Sequence, residues 1–545
     1  MAMRVAAIGH RGAQGSAKRA RGLHNTGLST PTRKFFMRRR AAICPFSVGL
    51  SPMRAVSIRP LALRPLAWRA LHLCTLLAGL AVFVSAARAA PPDPLARDIF
   101  RQLIEIDTTH SAGDTTAAAR AMAQRLRDAG FAADDAQVLV GRNPKRGNLV
   151  ARLHGSGAHR PVLIIGHLDV VEARREDWEL DPFVFTEKDG YFYGRGTQDM
   201  KDADAIALAA LIRLKREGLV PDRDIILALT ADEEGGTDNG VAWLLAEHRA
   251  LVDAEFALNP DAGGVDSIAG KPVAFNLEAT EKRYADFQLR VTNPGGHSSL
   301  PVPDNAIYRL AAALGRLERA PFPVELNPVT RAWLQDQADI ETGPRGSDIR
   351  TVLRTPPPAP AGAAAAARLS GDALYNATLR TTCVATRLEA GHANNALPQS
   401  AAAVVNCRIL PGHSAEEVRG DLVRVFADPQ VAVGWIDPDD DQVKARAPAT
   451  MAMSPPPLNA ELMGALRQVV GRMWPGIPIL PEMETGASDS VYTMAAGIPS
   501  YGLSGTAIDR DDMRMHGKDE RLRISSFDEG TQFYYQLLKT LTSAR

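Results

Sequence analysis

Acidic residues are missing from the first 92 positions of this 545-residue chain, and Asp93 is the first. The same stretch carries fifteen Lys and Arg, from Arg4 to Arg88. Taking those fifteen charges from the formal net charge of +1 leaves −14 for the remainder. So acidic a remainder argues against a nucleic-acid partner, because phosphate recognition needs clustered Lys and Arg. Cysteine is scarce too: there are four, and only Cys383 and Cys407 lie beyond the N-terminal segment. Two cysteines cannot build a thiolate zinc cage or an iron–sulfur site, so a metal would have to rest on His and carboxylates. They pair in an oxidising compartment or serve as small buried thiols. There is no G-x-S-x-G elbow and no H-E-x-x-H helix, which removes the usual marks of a serine hydrolase and of a zincin. The apolar run Leu71–Val84 has fourteen residues, short of the roughly 20 of a spanning helix.

That run belongs to a segment with the grammar of a secretory signal. Arg54, Arg59, Arg64 and Arg69 precede it, and Ala87-Arg88-Ala89 supplies a cleavage site after it. Residues 53–90 are therefore expected to be a cleaved signal peptide and the mature protein to be periplasmic or secreted. The alternative is a retained membrane anchor. Residues 1–52 are Arg- and Gly-rich without pattern, and read as unstructured or as a mis-called translation start.

The length suits two or three domains. Helical spacing marks Pro94–Ile106, Thr115–Ala129 and Asp202–Glu217, while Gly147–Leu153, Pro161–Gly166, Asp224–Ala231 and Ala254–Leu258 read as buried strands. Strands alternating with helices predict an α/β fold with a mostly parallel sheet. From Lys282 the pattern changes. Tyr284–Val291 alternates as a half-exposed strand does, Asn305–Glu318 is helical, and a Pro- and Ala-rich stretch at 356–367 reads as an insertion or surface excursion. The expected organisation is a first catalytic part at 91–282, an inserted α+β domain at 283–447 and a second catalytic part at 448–545.

Candidate chemistry gathers mostly just past predicted strands, where open α/β sheets build their sites. The clusters are His167-Leu168-Asp169, Gly194–Lys201 (GRGTQDMK), Asp232–Gly236 (DEEGG), Asn259–Gly264 (NPDAGG) and Met515–Glu520 (MHGKDE). Each alone has a plain structural reading: a paired histidine, a helix cap, a solvated acidic loop, a turn aspartate, a loop histidine. Together they supply two histidines and three carboxylates, enough for five protein ligands with one shared between two ions, and one carboxylate left over as a base. That is the inventory of a two-metal site, whose ions sit ~3.5–4 Å apart. Nitrogen and oxygen donors suit zinc, with cobalt or manganese as substitutes.

HLDVV, GRGTQDMK, TADEEGG, PGGHSSLP (Pro294–Pro301) and HGKDE, in that order, resemble the di-zinc metallopeptidases that include carboxypeptidase S, aminoacylase, acetylornithine deacetylase and succinyl-diaminopimelate desuccinylase. The likeness spans roughly residues 95–545 and is nearest to the carboxypeptidase S branch. It implies a di-zinc catalytic domain with an inserted lid or dimerisation domain, and two zinc ions per chain. Asp199 would bridge the ions, with His167 and Asp261 completing one site and Glu234 and His516 the other. Asp169 would orient His167, and Glu233 would be the general base. His297 would be the lid histidine that steadies the oxyanion. Asn395, within Thr381–Pro398, would line the substrate pocket, and Arg408 would recognise a substrate carboxylate. Gly486–Asp489 (GASD) matches another pocket loop. The implied substrates are short peptides, cleaved as by a carboxypeptidase or dipeptidase, with N-acyl amino acids as the alternative. A homodimer through the lid is implied as well, and a membrane contact only if the signal is uncleaved. A non-catalytic binding protein on the same scaffold is the remaining reading.

Overall fold

The four adjacent strands Ile225–Thr230, Val162–His167, Phe256–Asn259 and Ser500–Gly502 run parallel, so their C-terminal ends share one edge. They form the middle of a ten-stranded sheet in this computed structural model, which describes residues 91–543 apart from 237, 439 and 450–454. Antiparallel strands Gly147–Leu153 and Ala136–Val140 extend one side. Lys271–Glu281, Gly264–Ile268 and Ala507–Asp509 extend the other, and Ile479–Glu484 pairs parallel to Lys271–Glu281. The segments 1–52 and 53–90 lie outside the described residues. Among the described residues, no helix is long and apolar enough to cross a membrane.

The central strands are apolar along their length because helices cover both faces, as parallel sheets require. Helices Pro94–Ile104, Thr115–Asp128, Lys201–Arg216, Ala460–Met473 and Ile524–Leu541 contribute to the main core, which includes Phe100, Leu211, Leu227, Leu466 and Phe533. Gly240–Glu247 and its neighbours seal the opposite face with Val241 and Leu244 against Leu163 and Ile226. Lys201–Arg216 is buried almost throughout, which explains its nearly continuous Ala, Ile and Leu sequence.

The strand Lys271–Glu281 runs through Lys282 into Arg283–Thr292 of a second sheet. This sheet is antiparallel, in the order Thr382–Ala390, Ser400–Ile409, Arg283–Thr292, Ala432–Ile436, Val443–Lys444. Helices Ala306–Glu318 and Ala415–Phe426 cover one face. Ser400–Ile409 alternates strictly between buried and half-buried positions, as a sheet with one covered face should. Cys383 and Cys407 face each other across two of its strands and are disulfide-bonded, which settles the pairing left open by the sequence. The stretch 356–367, expected as an insertion or surface excursion, holds the start of helix Pro360–Leu369, which packs with Pro328–Ile340, Gly343–Arg354 and Ala373–Leu379 around Trp333, Leu334, Ile349 and Tyr375.

Candidate active site

His167, Glu233, Glu234 and Asp261 converge because they end or follow parallel strands that finish at one edge of the central sheet, and Asp199 and His516 reach that edge from loops. His167 is the last residue of its strand, opposite Thr230 of the neighbouring strand. Asp199 ends the loop before helix Lys201–Arg216, Glu233 and Glu234 follow strand Ile225–Thr230, and Asp261 follows strand Phe256–Asn259. His516 comes from a turn more than 300 positions downstream of Asp199, and Arg521–Arg523 follows it as a short strand.

Two donor groups result, His167 with Asp199 and Asp261, and Asp199 with Glu234 and His516, each with its ligand atoms within 4.8 Å of one another. Asp199 is common to both. His167 Nε2 lies 3.2 Å from Asp199 Oδ1 and 3.6 Å from Asp261 Oδ1. His516 Nε2 lies 2.9 Å from Asp199 Oδ2 and 3.1 Å from Glu234 Oε1. His516 has φ 62° and Asp232 φ 61°. Left-handed backbone at non-glycine residues is costly and gathers at functional sites.

Charge explains the titration of the cluster. Burial on its own lowers the His167 pKa, yet facing Asp261 and Asp199 raise it well above the ordinary value. Hydrogen bonds to Asp199 and Glu234 raise His516 to about 10. Burial opposes ionisation of Asp199, but the two histidines hold it below the usual carboxylate range. Burial, with Asp261, Asp489 and Glu234 nearby, pushes Glu233 well up against the pull of His167. The pocket therefore demands positive charge between its carboxylates. The donor set fits a divalent metal for a specific reason. His167 Nδ1 lies 3.0 Å from the Asp169 carbonyl, which fixes the proton on that nitrogen. Its buried Nε2 has no hydrogen-bond partner among the described residues and faces carboxylates. A lone pair so placed needs a cation in between.

Asp169 orients His167 through its backbone carbonyl, while its carboxylate, 3.9 Å from the ring, does something else. It accepts the backbone N–H groups of Glu233 and Glu234 at 3.2 and 3.0 Å, clamping the acidic turn over the histidine. The sequence spacing suggested only a side-chain contact with the ring.

Three supports complete the site, of which the sequence reading gave a role only to the loop of Asp489, as a pocket loop. Buried Glu520 accepts from Arg195 Nη1 at 2.5 Å, from Gly196 N at 3.2 Å and from Gln198 N at 2.7 Å. Arg195 in turn donates to Gly517 O, and Gln198 Nε2 to Asp512 O and Arg521 O. The loop bearing Asp199 is thus laced to the turn bearing His516. Arg146 pairs with Asp232 at 3.2 Å and holds the start of the acidic turn. Asp489, in the GASD loop, accepts from Asn239 Nδ2 and Thr230 Oγ1 beneath the site.

The remaining candidates lie on the second sheet and its loops. His297 is exposed, with Nδ1 2.7 Å from Ser299 Oγ. Asn395 is its neighbour, since Ser298 N donates to the Asn395 carbonyl. Arg408 stands on the uncovered face of the sheet with its guanidinium 4.9 Å from the Tyr284 ring centre, and forms no ion pair among the described residues. No hydrogen bond or ion pair among the described residues joins His297, Asn395 or Arg408 to the five predicted ligands.

The family described as Peptidase family M20/M25/M40 matches residues 163–540. The human N-fatty-acyl-amino acid synthase/hydrolase PM20D1 is 30% identical over 391 residues, spanning 70% of this chain and 74% of that protein. A probable carboxypeptidase S-like 2 from Dictyostelium discoideum is 29% identical over 388 residues, spanning 70% of this chain and 71% of that protein. The solved M20 family metallo-carboxypeptidase Sso-CP2 from Sulfolobus solfataricus shares the fold, with a TM-score of 0.61 and 15% identity over 83% of this chain and 99% of that one.

Proposed function

We propose that this chain, which belongs to Peptidase family M20/M25/M40, hydrolyses the amide bond between an acyl group and an amino acid, in N-acyl amino acids or short peptides. Membership makes it a hydrolase with a metal site. The observation that carries the finer reading is the sharing of Asp199 by two donor groups, with Glu233 next in sequence to the ligand Glu234. When bound by His167, Asp199, Asp261, Glu234 and His516, two divalent cations, zinc by donor type, supply carbonyl polarisation and a more acidic water.

The protein's own residues do the rest. Glu233 takes a proton from the attacking water and returns it to the leaving amine nitrogen. A carboxyl desolvated as Glu233 is suits that double duty, because its proton affinity is raised toward working pH. Asp169 keeps Glu233 in place through the backbone, and the tautomer of His167 through the carbonyl. His297 is assigned to the oxyanion, and Asn395 and Arg408 to substrate binding, Arg408 for a carboxylate. The second sheet and its helices serve as the lid, with a homodimer through it as part of the reading. Export to the periplasm or medium is part of it too, and the Cys383–Cys407 disulfide supports an oxidising location.

The names of the relatives divide between N-acyl amino acids and peptides, so the deciding assay offers both. Purified protein is expected to hold up to two metal ions per chain, to lose activity to a chelator and to regain it with zinc. Glu233→Ala should abolish turnover while metal content stays. Undiminished turnover in that variant refutes the mechanism.

A further inference from the structure

A second group of carboxylates borders the site and takes no part in the reaction above. In the strand pair Lys271–Glu281 and Ile479–Glu484, Glu278 lies opposite Glu482 and Glu281 opposite Glu484. Regular alternation would send Glu278 and Glu281 to opposite faces. The register shifts by one between them, because Glu482 and Met483 are consecutive while their partners Glu278 and Thr280 are not. The resulting bulge at Ala279 brings all four glutamates to one face. The other face, with Ala279 and Met483, packs against Val329 and Leu410.

Glu278 and Glu281 are buried, at 2% and 4% exposure, while Glu482 and Glu484 are partly open to solvent. Two of the four carboxylates on this face are therefore buried and two stand partly in solvent. Glu278 Oε2 and Glu281 Oε1 have no hydrogen-bond partner among the described residues. The other oxygen of Glu281 accepts from Ser488 N and Oγ at 2.7 and 2.8 Å. Glu484 is occupied by Thr485 N and Gly486 N. Gly502 lies against this face, where a Cβ would stand 2.1 Å from Glu278 Oε2. No ion pair among the described residues reaches any of the four glutamates, and Arg510, which bears on Glu482, is bonded to Asp266. Asp261, a predicted ligand, bears on both buried glutamates and adds its negative charge. Carboxylates at such depth are costly as anions until a cation meets them, and burial meanwhile pushes the Glu278 carboxyl well up and that of Glu281 up to about 8.

We propose that this carboxylate face is a subsite for a cationic side chain of the substrate, an ammonium or guanidinium carried by the amino acid or peptide whose amide bond is cut. The chemistry is that of charge-assisted hydrogen bonds from N–H donors to carboxylates, completed only when substrate is bound. The proposal rests on the amide-hydrolase reading, and it names a substrate class within it.

The test compares isosteric substrates on the metal-loaded enzyme: N-acetyl-lysine against N-acetyl-norleucine, and lysyl-alanine and alanyl-lysine against their norleucyl counterparts. The expected result is a preference in kcat/KM for lysine of about tenfold or more in at least one pair. That ratio should fall toward one in Glu278→Gln/Glu281→Gln, whose folding is checked by its melting temperature. Calorimetry with free lysine and norleucine is the second arm, with lysine binding lost in the double variant. Equal rates within every pair, or a lysine preference that survives both substitutions, overturns the subsite. If no substrate is cleaved, lysine binding that depends on the two glutamates upholds the subsite and only the hydrolase reading falls; no such binding sinks both.

Discussion

Glu520→Gln should weaken metal binding although Glu520 touches none of the five predicted ligands. Its carboxylate accepts three hydrogen bonds from the loop that ends in Asp199, and it sits four positions after His516. Both members of the Arg195–Glu520 pair are buried, with side-chain exposures of 3% and 0%. Burial pushes the Glu520 carboxyl up to about 7 even with Arg195 beside it, the mark of a desolvation cost that good geometry must offset. Glutamine replaces one acceptor with a donor and leaves the Arg195 guanidinium with Gly517 O and the face of Trp178, whose ring centre is 5.0 Å away. Breaking one side of a buried pair costs about 3–5 kcal/mol. At about 2 cal/mol/K per residue over some 450 ordered residues, that is a melting shift of about 4 °C. The effect on metal should be larger in kind, because partners that orient ligands are worth about 10- to 100-fold in affinity or activity. Competition with a chromogenic chelator measures it. Arg195→Met and the double variant close a cycle whose expected coupling is at least about 1 kcal/mol. Wild-type metal affinity in Glu520→Gln, or strictly additive losses in the cycle, would refute the idea that this pair positions the site.

Two further outcomes follow from the second sheet and the strand that leads into it. The disulfide closes a loop with a sequence separation of 24, so Cys383→Ala/Cys407→Ala should lose about 3 kcal/mol in a urea titration, and an unchanged midpoint would contradict a stabilising bond. Lys282 is fully buried, its Nζ donates to the Arg380 carbonyl at 2.7 Å, and burial with Arg408 and Arg380 nearby pushes its pKa down to about 7. Between that value and the ~10.4 of an unfolded lysine, the unfolded chain holds a proton that the folded chain lacks. Stability should therefore rise with pH through this window, by up to about 1.4 kcal/mol per unit from this group. Urea midpoints at about pH 7.5 and about pH 9 should show a slope that Lys282→Met reduces; parallel behaviour of the two proteins would refute it.

Residue types and order, with strand ends for most, were enough to nominate the clusters that hold His167, Asp199, Glu233, Glu234, Asp261 and His516, and the resemblance to the di-zinc metallopeptidases assigned the role of each. The reason is that a parallel sheet exports its chemistry to one edge, so a ligand that follows a buried strand is visible as a motif after an apolar run. The α/β pattern and the change of style at Lys282 were legible for the same reason, since periodicity reflects which face each element buries. Four things were decided only by the tertiary structure. The strand Lys271–Glu281 escaped notice because its buried glutamates and the bulge at Ala279 break the apolar pattern. The carboxylate of Asp169 serves a turn 64 and 65 positions away, not the ring beside it. Glu520 meets Arg195 across 325 positions, a pairing that no local spacing encodes. The Pro- and Ala-rich stretch enters helix Pro360–Leu369 because Ala365, Ala366 and Leu369 pack against Trp333, Ile349 and Tyr375 from neighbouring helices. Local sequence determined which chemistry is present and near which strand ends it lies. Long-range packing decided which carboxylates share a face, and so which of them remain without a partner for a substrate to meet.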